Sequence, residues 1–231
     1  MRKIAAALGC LAISAAAAPP AGAATTEDFS FEVLHASGTA RVEFHADPAS
    51  GCVAVGRCGA AGTVTTTLVP TKGAEVFLSR FPRAGTAGAV AGIEARTQAT
   101  VTRPGTNSPC TDRDADDPAT LLIEGTRQRV SFQFDLTAEL ANHCEGPRGD
   151  DIAHLPALRR RYAITHFRHR RLRLDLAGTS SFVRSGFAGT VTTDVHITAR
   201  RIACKSGRCS SAGSGIEFVT TGAGPGGLTV G

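Results

Sequence analysis

Seven arginines crowd one short stretch: Arg159, Arg160, Arg161, Arg168, Arg170, Arg171 and Arg173 in RRRYAITHFRHRRLRL (159–174), with His169 among them. A guanidinium is a permanently charged planar fork that grips phosphate or carboxylate through parallel hydrogen bonds. Such a cluster suits an anionic polymer of the cell envelope, a lipid headgroup or extracellular DNA. Tyr162 and Phe167 interleave as stacking partners, yet nothing in the pattern is a specific nucleic-acid module. The plainer reading is the solvated side of a hairpin, where arginine also discourages edge-to-edge strand pairing. A charge run defaults to that second reading.

The acidic counterpart is CTDRDADDPA (110–119), where Asp112, Asp114 and Asp116 repeat as D-x-D-x-D. Loops that wrap calcium with oxygen ligands use this spacing. Against an EF-hand, the sixth position is Asp117 rather than Gly, the twelfth is Ile123 rather than Glu, and Arg113 dilutes the charge. An irregular calcium loop is therefore set against an acidic solvated loop, and no other cofactor is expected. The histidines (His35, His45, His143, His154, His166, His169, His196) are scattered. His166 and His169 have a ligand-like spacing, but neighbouring arginines oppose a divalent ion. No G-x-S-x-G, H-E-x-x-H, P-loop or G-x-G-x-x-G occurs. No catalytic residue is assigned, and a hydrolase would need a site assembled across distant strands.

The chain opens MRKIAAALGCLAISAAAAPPAGAA: Arg2 and Lys3, an apolar run Ile4–Ala18, then Pro19-Pro20 before Ala21-Gly22-Ala23. That is the layout of a secretory signal peptide over 1–23. Its apolar run is shorter than the roughly 20 residues a spanning helix needs. A lipid-modified Cys10 would leave an apolar run below the usual length of about 7–15. No later run is long enough to span a bilayer, so residues 24–231 are expected at the cell surface or in the medium. Loss of Arg2 and Lys3 leaves 23 cations against 20 anions, a mild excess that does not mark nucleic-acid binding.

Export settles the expected state of the six remaining cysteines: Cys52, Cys58, Cys110, Cys144, Cys204 and Cys209. An even count in an oxidising compartment favours disulfides. Proximity suggests Cys52–Cys58 and Cys204–Cys209 as loop staples and Cys110–Cys144 as a longer link, among 15 formal pairings. The spacings give no C-x2-C knuckle for zinc.

The elements that must carry these groups are strands. RVSFQFDL (129–136), RLRLDL (171–176), TVTTDVHITAR (190–200), FSFEV and ARVEFH all alternate apolar and polar residues. Successive strand side chains point to opposite faces, so a strand with one wet face must alternate. Turn-forming clusters separate the runs at hairpin intervals. The reading is all-β: an antiparallel sandwich or partly closed barrel of some eleven strands, with at most one short helix at DDIAHL (150–155). One β-rich domain spans 24–231, and the best internal boundary falls at 103–119. A classical sugar platform is disfavoured by the absence of Trp and a single Tyr among eleven Phe.

Two stretches nearly coincide, RCGAAGTVTT (57–66) and RSGFAGTVTT (184–193), each after a similar strand: ASGTARVEF (36–44) and LAGTSSFV (176–183). They read as two versions of one hairpin, the longer turn carrying Cys52 and Cys58.

The second half combines a Cys, a nearby Gly-Pro, a short Asp-containing helix, Leu-Pro and then DLAGTSSFVRSGFAGTVTT. This pattern resembles uncharacterised secreted β-rich proteins of high-GC actinobacteria, and GRCGAAGTV in the first half is similar. The resemblance implies a bacterial, exported, β-rich protein and no activity. The resulting expectation is a non-enzymatic binding or structural protein with an unknown ligand. The alternatives are a secreted hydrolase and an adhesion module that holds anionic polymers through the arginine hairpin.

Overall fold

The computed structural model describes residues 27–47, 49, 59–81, 85–136, 147 and 149–202. Within them the alternating runs form nine strands: β1 (Glu27–Ala46), β2 (Ala61–Phe81), β3 (Gly85–Thr102), β4 (Cys110–Pro118), β5 (Thr120–Gly125), β6 (Arg129–Asp135), β7 (Arg159–Ala163), β8 (Arg171–Arg184) and β9 (Phe187–Arg201). The all-β expectation holds. The strands are fewer and longer than the eleven anticipated because some apparent turns are bulges. FSFEV and ARVEFH belong to one strand whose register shifts between Glu32 and Thr39, with Gly38 at φ 151°. GAEVFLSRF (73–81) continues β2 past an irregularity between Pro70 and Glu75. An extra residue in one strand bends the ladder without ending it.

Every pairing is antiparallel, in the order β7-β6-β5-β3-β2-β1-β9-β8. β3 pairs with β5 through Thr86–Val90 and with β4 through Glu94–Val101. The acid-rich stretch expected as a loop or boundary thus becomes strand β4, in the same sheet. Most successive strands pair with one another, β4 and β5 both pair with β3, and β9 returns to β1. The result is an up-and-down barrel, nearly closed. Its gap lies between β7 and β8, which are consecutive in sequence.

Inward side chains fill the barrel: Phe29, Phe31, Val42, Phe44, Leu78, Ile123, Phe132, Phe134, Leu174 and Val195 are all buried. The short helix α1 (Gly149–Ile152) and a 3-10 turn (Pro156–Leu158) add Ile152, Leu155 and Leu158 to this core. The turn is tied to the wall: Ala157 N–H donates to Ser180 Oγ at 3.0 Å, and Thr193 Oγ1 donates to the Ala157 carbonyl.

The repeated word now has a structural meaning. Both copies are second strands of hairpins, and they flank β1 in the same register. Ala61 and Ala188 face His45, Gly62 and Gly189 face Phe44, Val64 and Val191 face Val42, and Thr66 and Thr193 face Ala40. A Cβ at Gly189 would collide with the Glu43 carbonyl oxygen and lie 2.9 Å from Phe44 Cα and 3.0 Å from the Phe182 ring. At Gly62 it would lie 2.6 Å from the Thr100 carbonyl oxygen. The second copy turns through Ser185 (φ 50°) and Gly186 (φ 86°), with Arg184 opposite Phe187. Positive φ at both central residues matches the twist of a two-residue hairpin. The Cys52/Cys58 turn of the first copy lies outside the described residues.

Candidate functional site

The arginine run does not make one face, because strand alternation and a second 3-10 turn (Ile164–Arg168) divide it. Arg159 and Arg161 stand opposite Gln133 and Ser131 on β7, while Arg160 lies 5.8 Å from the Tyr162 ring centre. Arg168 belongs to the turn. Arg173 donates through Nε to Asp175 at 3.0 Å. Of the two expected stacking residues, Phe167 is buried in the core, and Tyr162 stacks on His166 with centroids 4.9 Å apart.

Arg170 and Arg171 do something else. At the start of β8 they meet Arg200 and Arg201 from the end of β9, two residues the arginine-run reading left out. With Ile202 the four arginines line an open concavity of about 520 Å³. Arg171 sits directly opposite Arg200. Arg201 N–H donates to the Arg170 carbonyl at 2.9 Å, and Ile202 N–H donates to the Ser30 carbonyl at 3.0 Å. The Arg201 guanidinium lies 5.1 Å from the Phe29 ring centre, and Arg200 Nη2 pairs with Glu32 Oε2 at 2.7 Å. Glu32 in turn faces Glu75 across β1 and β2. Burial, and then the Glu32 charge, push the Glu75 carboxyl above its ordinary range. One row across four strands thus reads Glu75, Glu32, Arg200, Arg171. Arg170 and Arg171 form no ion pair among the described residues, so the cationic end of the row is in excess.

A second cluster sits on the outer wall. His196 Nδ1 lies 2.7 Å from Asp175 Oδ1, and Nε2 lies 2.9 Å from Asp194 Oδ1. Carboxylates only accept, so both ring nitrogens must carry protons for both bonds to form. The bond to Asp175, against slight burial and together with Asp194, raises the His196 pKa. Burial pushes Asp175 up, but hydrogen bonds from His196 and Arg173 outweigh it and leave its pKa lowered.

The signs give a window. The raised His196 value contributes stability below the ordinary histidine pKa of about 6.5, lost as pH rises through the folded value. The lowered Asp175 value contributes above about 3.9, lost as pH falls through its folded value. Urea midpoints should therefore be highest between about pH 4 and 6.5. His196→Gln should remove the alkaline decline, an effect below about 1 kcal/mol because the pair is solvent-screened. An unchanged alkaline slope in that variant would rule the network out as its source.

The same wall closes the barrel gap. Tyr162 Oη accepts from Asp175 N–H at 2.7 Å and donates to the Asp175 carbonyl at 2.8 Å. His166 Nε2 lies 2.6 Å from the Arg173 carbonyl oxygen, so it carries the proton there. Side chains stand in for a backbone ladder between β7 and β8.

The expected calcium residues Asp112, Asp114 and Asp116 lie along strand β4, an extended backbone rather than a curled loop. No cluster of three metal-ligating side chains occurs among the described residues. Cys110 heads β4. Cys52, Cys58, Cys144, Cys204 and Cys209 lie outside the described residues, as do the signal-like segment and Cys10. Among the described residues no helix is long and apolar enough to cross a membrane.

Fold and site together define a filled, nearly closed antiparallel barrel with a basic mouth. No family model, no curated protein and no solved structure matches the chain.

Proposed function

We propose that this is an exported, disulfide-bonded, non-enzymatic protein of the bacterial cell surface or medium that works by binding through its outer surface. The observation that carries the reading is the filled interior. Phe29, Phe31, Phe132, Phe134 and Phe167 occupy the space a small ligand would take in a barrel, so contacts fall to the wall and the mouth. A hydrolytic site at His196 is disfavoured because both ring nitrogens are held by carboxylates. The signal-like N-terminus and the even count of cysteines after it support export.

The test is chemical. Protein recovered from the producing cell's envelope or medium should begin at Ala24 and show no reactive thiol when denatured. Reduction should cost about 3–4 kcal/mol for each longer loop released. An intact Met1 on the recovered protein, or several free thiols, would defeat the proposal.

A further inference from the structure

We infer that the mouth lined by Arg170, Arg171, Arg200 and Arg201 binds the phosphodiester groups of an anionic chain polymer. The surface-binding reading above supplies the setting; the site itself stands on geometry. Two strand ends bring the four residues to one concavity, with Arg171 and Arg200 on the sheet face of Glu32 and Arg201 on that of Phe31, over the Phe29 ring. Backbone hydrogen bonds from Arg201 to Arg170 and from Ile202 to Ser30 fix the rim. A site held by ladder contacts places its donors more reproducibly than one on a loop.

The arrangement runs against stability. Like charges directly opposite in an antiparallel pair are destabilising, yet Arg171 faces Arg200. Further along the same two strands the chain uses a favourable pair, Thr179 and Thr192, with hydroxyls 3.1 Å apart. Among the described residues the four arginines make one ion pair, that of Arg200 with Glu32. A bound anion would offset the repulsion.

The donor set selects the anion. A carboxylate offers its two oxygens in one plane, and Glu32 engages Arg200 through one of them. A tetrahedral phosphate presents oxygens in several directions and takes donors converging from two strands. Arg201, laid over Phe29, keeps its plane fixed for such a contact. The concavity favours a chain over a membrane. Headgroup surfaces are engaged by apolar insertion beside the charge, whereas the exposed large hydrophobics among the described residues are two isolated side chains, Val183 and Leu34. Of these, Leu34 alone, at the β1 bulge between Val33 and His35, is near the arginines. Val183 lies at the far end of β8 from Arg171.

The probe is soluble poly(glycerol phosphate), titrated into the mature protein at several salt concentrations. Arg170→Ser/Arg171→Ser should weaken binding at least tenfold and flatten the salt dependence by about two charges. Arg159→Ser/Arg161→Ser removes the same charge from β7 and should change affinity less than threefold. Arg171→Ser alone should raise the melting temperature, because the facing guanidinium pair is gone. Equal losses in the two double variants would reduce binding to diffuse charge and overturn the site. So would a wild-type protein that ignores the polymer, or one that binds anionic phospholipid vesicles as tightly. A lower melting temperature in Arg171→Ser would show that the arginines are structural. These outcomes leave the export and thiol measurements untouched, so failure of the site and failure of the surface-binding reading are separable.

Discussion

Gly189→Val is expected to destabilise the protein by about 3 kcal/mol or more, at or beyond the upper end of ordinary overpacking. The new side chain has no free direction: the Glu43 carbonyl, Phe44 Cα and the Phe182 ring surround the position. β1 would have to move away from β9, and with it the ladder that completes the barrel. Against a typical total of about 5–15 kcal/mol, that loss is a large share. Thr190→Val, on the neighbouring position, should change the unfolding free energy by less than about 0.5 kcal/mol. Gly62→Val should approach the Gly189 effect. Gly62 and Gly189 both face Phe44, so the double variant should depart from additivity. Equal midpoints for Gly189→Val and Thr190→Val would refute the close-approach account of the repeated motif.

Tyr162→Phe is expected to cost about 1–2 kcal/mol and to open the gap between β7 and β8. One hydroxyl satisfies both the N–H and the carbonyl of Asp175, and its removal strands two backbone groups. Burial, partly offset by the bond to the Asp175 backbone and by Arg160, raises the Tyr162 pKa. The phenol therefore keeps its proton, and its donor role, at neutral pH. Amide exchange at Asp175 should accelerate in the variant while exchange at Val191, in the buried β9 ladder, stays slow. If Asp175 exchange is unchanged, the hydroxyl is not what holds this edge.

Alternation made the strands legible because burying one face leaves no other pattern available. What it could not reveal was where strands continue through bulges: Gly38, Pro70 and Gly73 carry turn chemistry yet lie inside β1 and β2. Nor could it show that β9 returns to β1, a pairing between distant residues with no local signature. The arginine run was visible as charge, but its division was not, because a 3-10 turn at Ile164–Arg168 interrupts the strand period. The mouth was within reach of a longer argument. Once Ser185-Gly186 is taken as a two-residue turn, counting outward sets Asp175 opposite His196 and Arg171 opposite Arg200. Turn chemistry fixes register, and register assembles the site.

The return of β9 to β1 also bears on how the chain acquires its shape. Glu32 and Arg200 meet although 168 positions separate them. Entropy must be lost across nearly the whole polypeptide before that contact repays it, so ring closure should be the slow event in folding. A chain emerging N-terminus first would hold one edge of β1 unsatisfied until β9 arrives, and during that interval the edge is a template for any other extended segment.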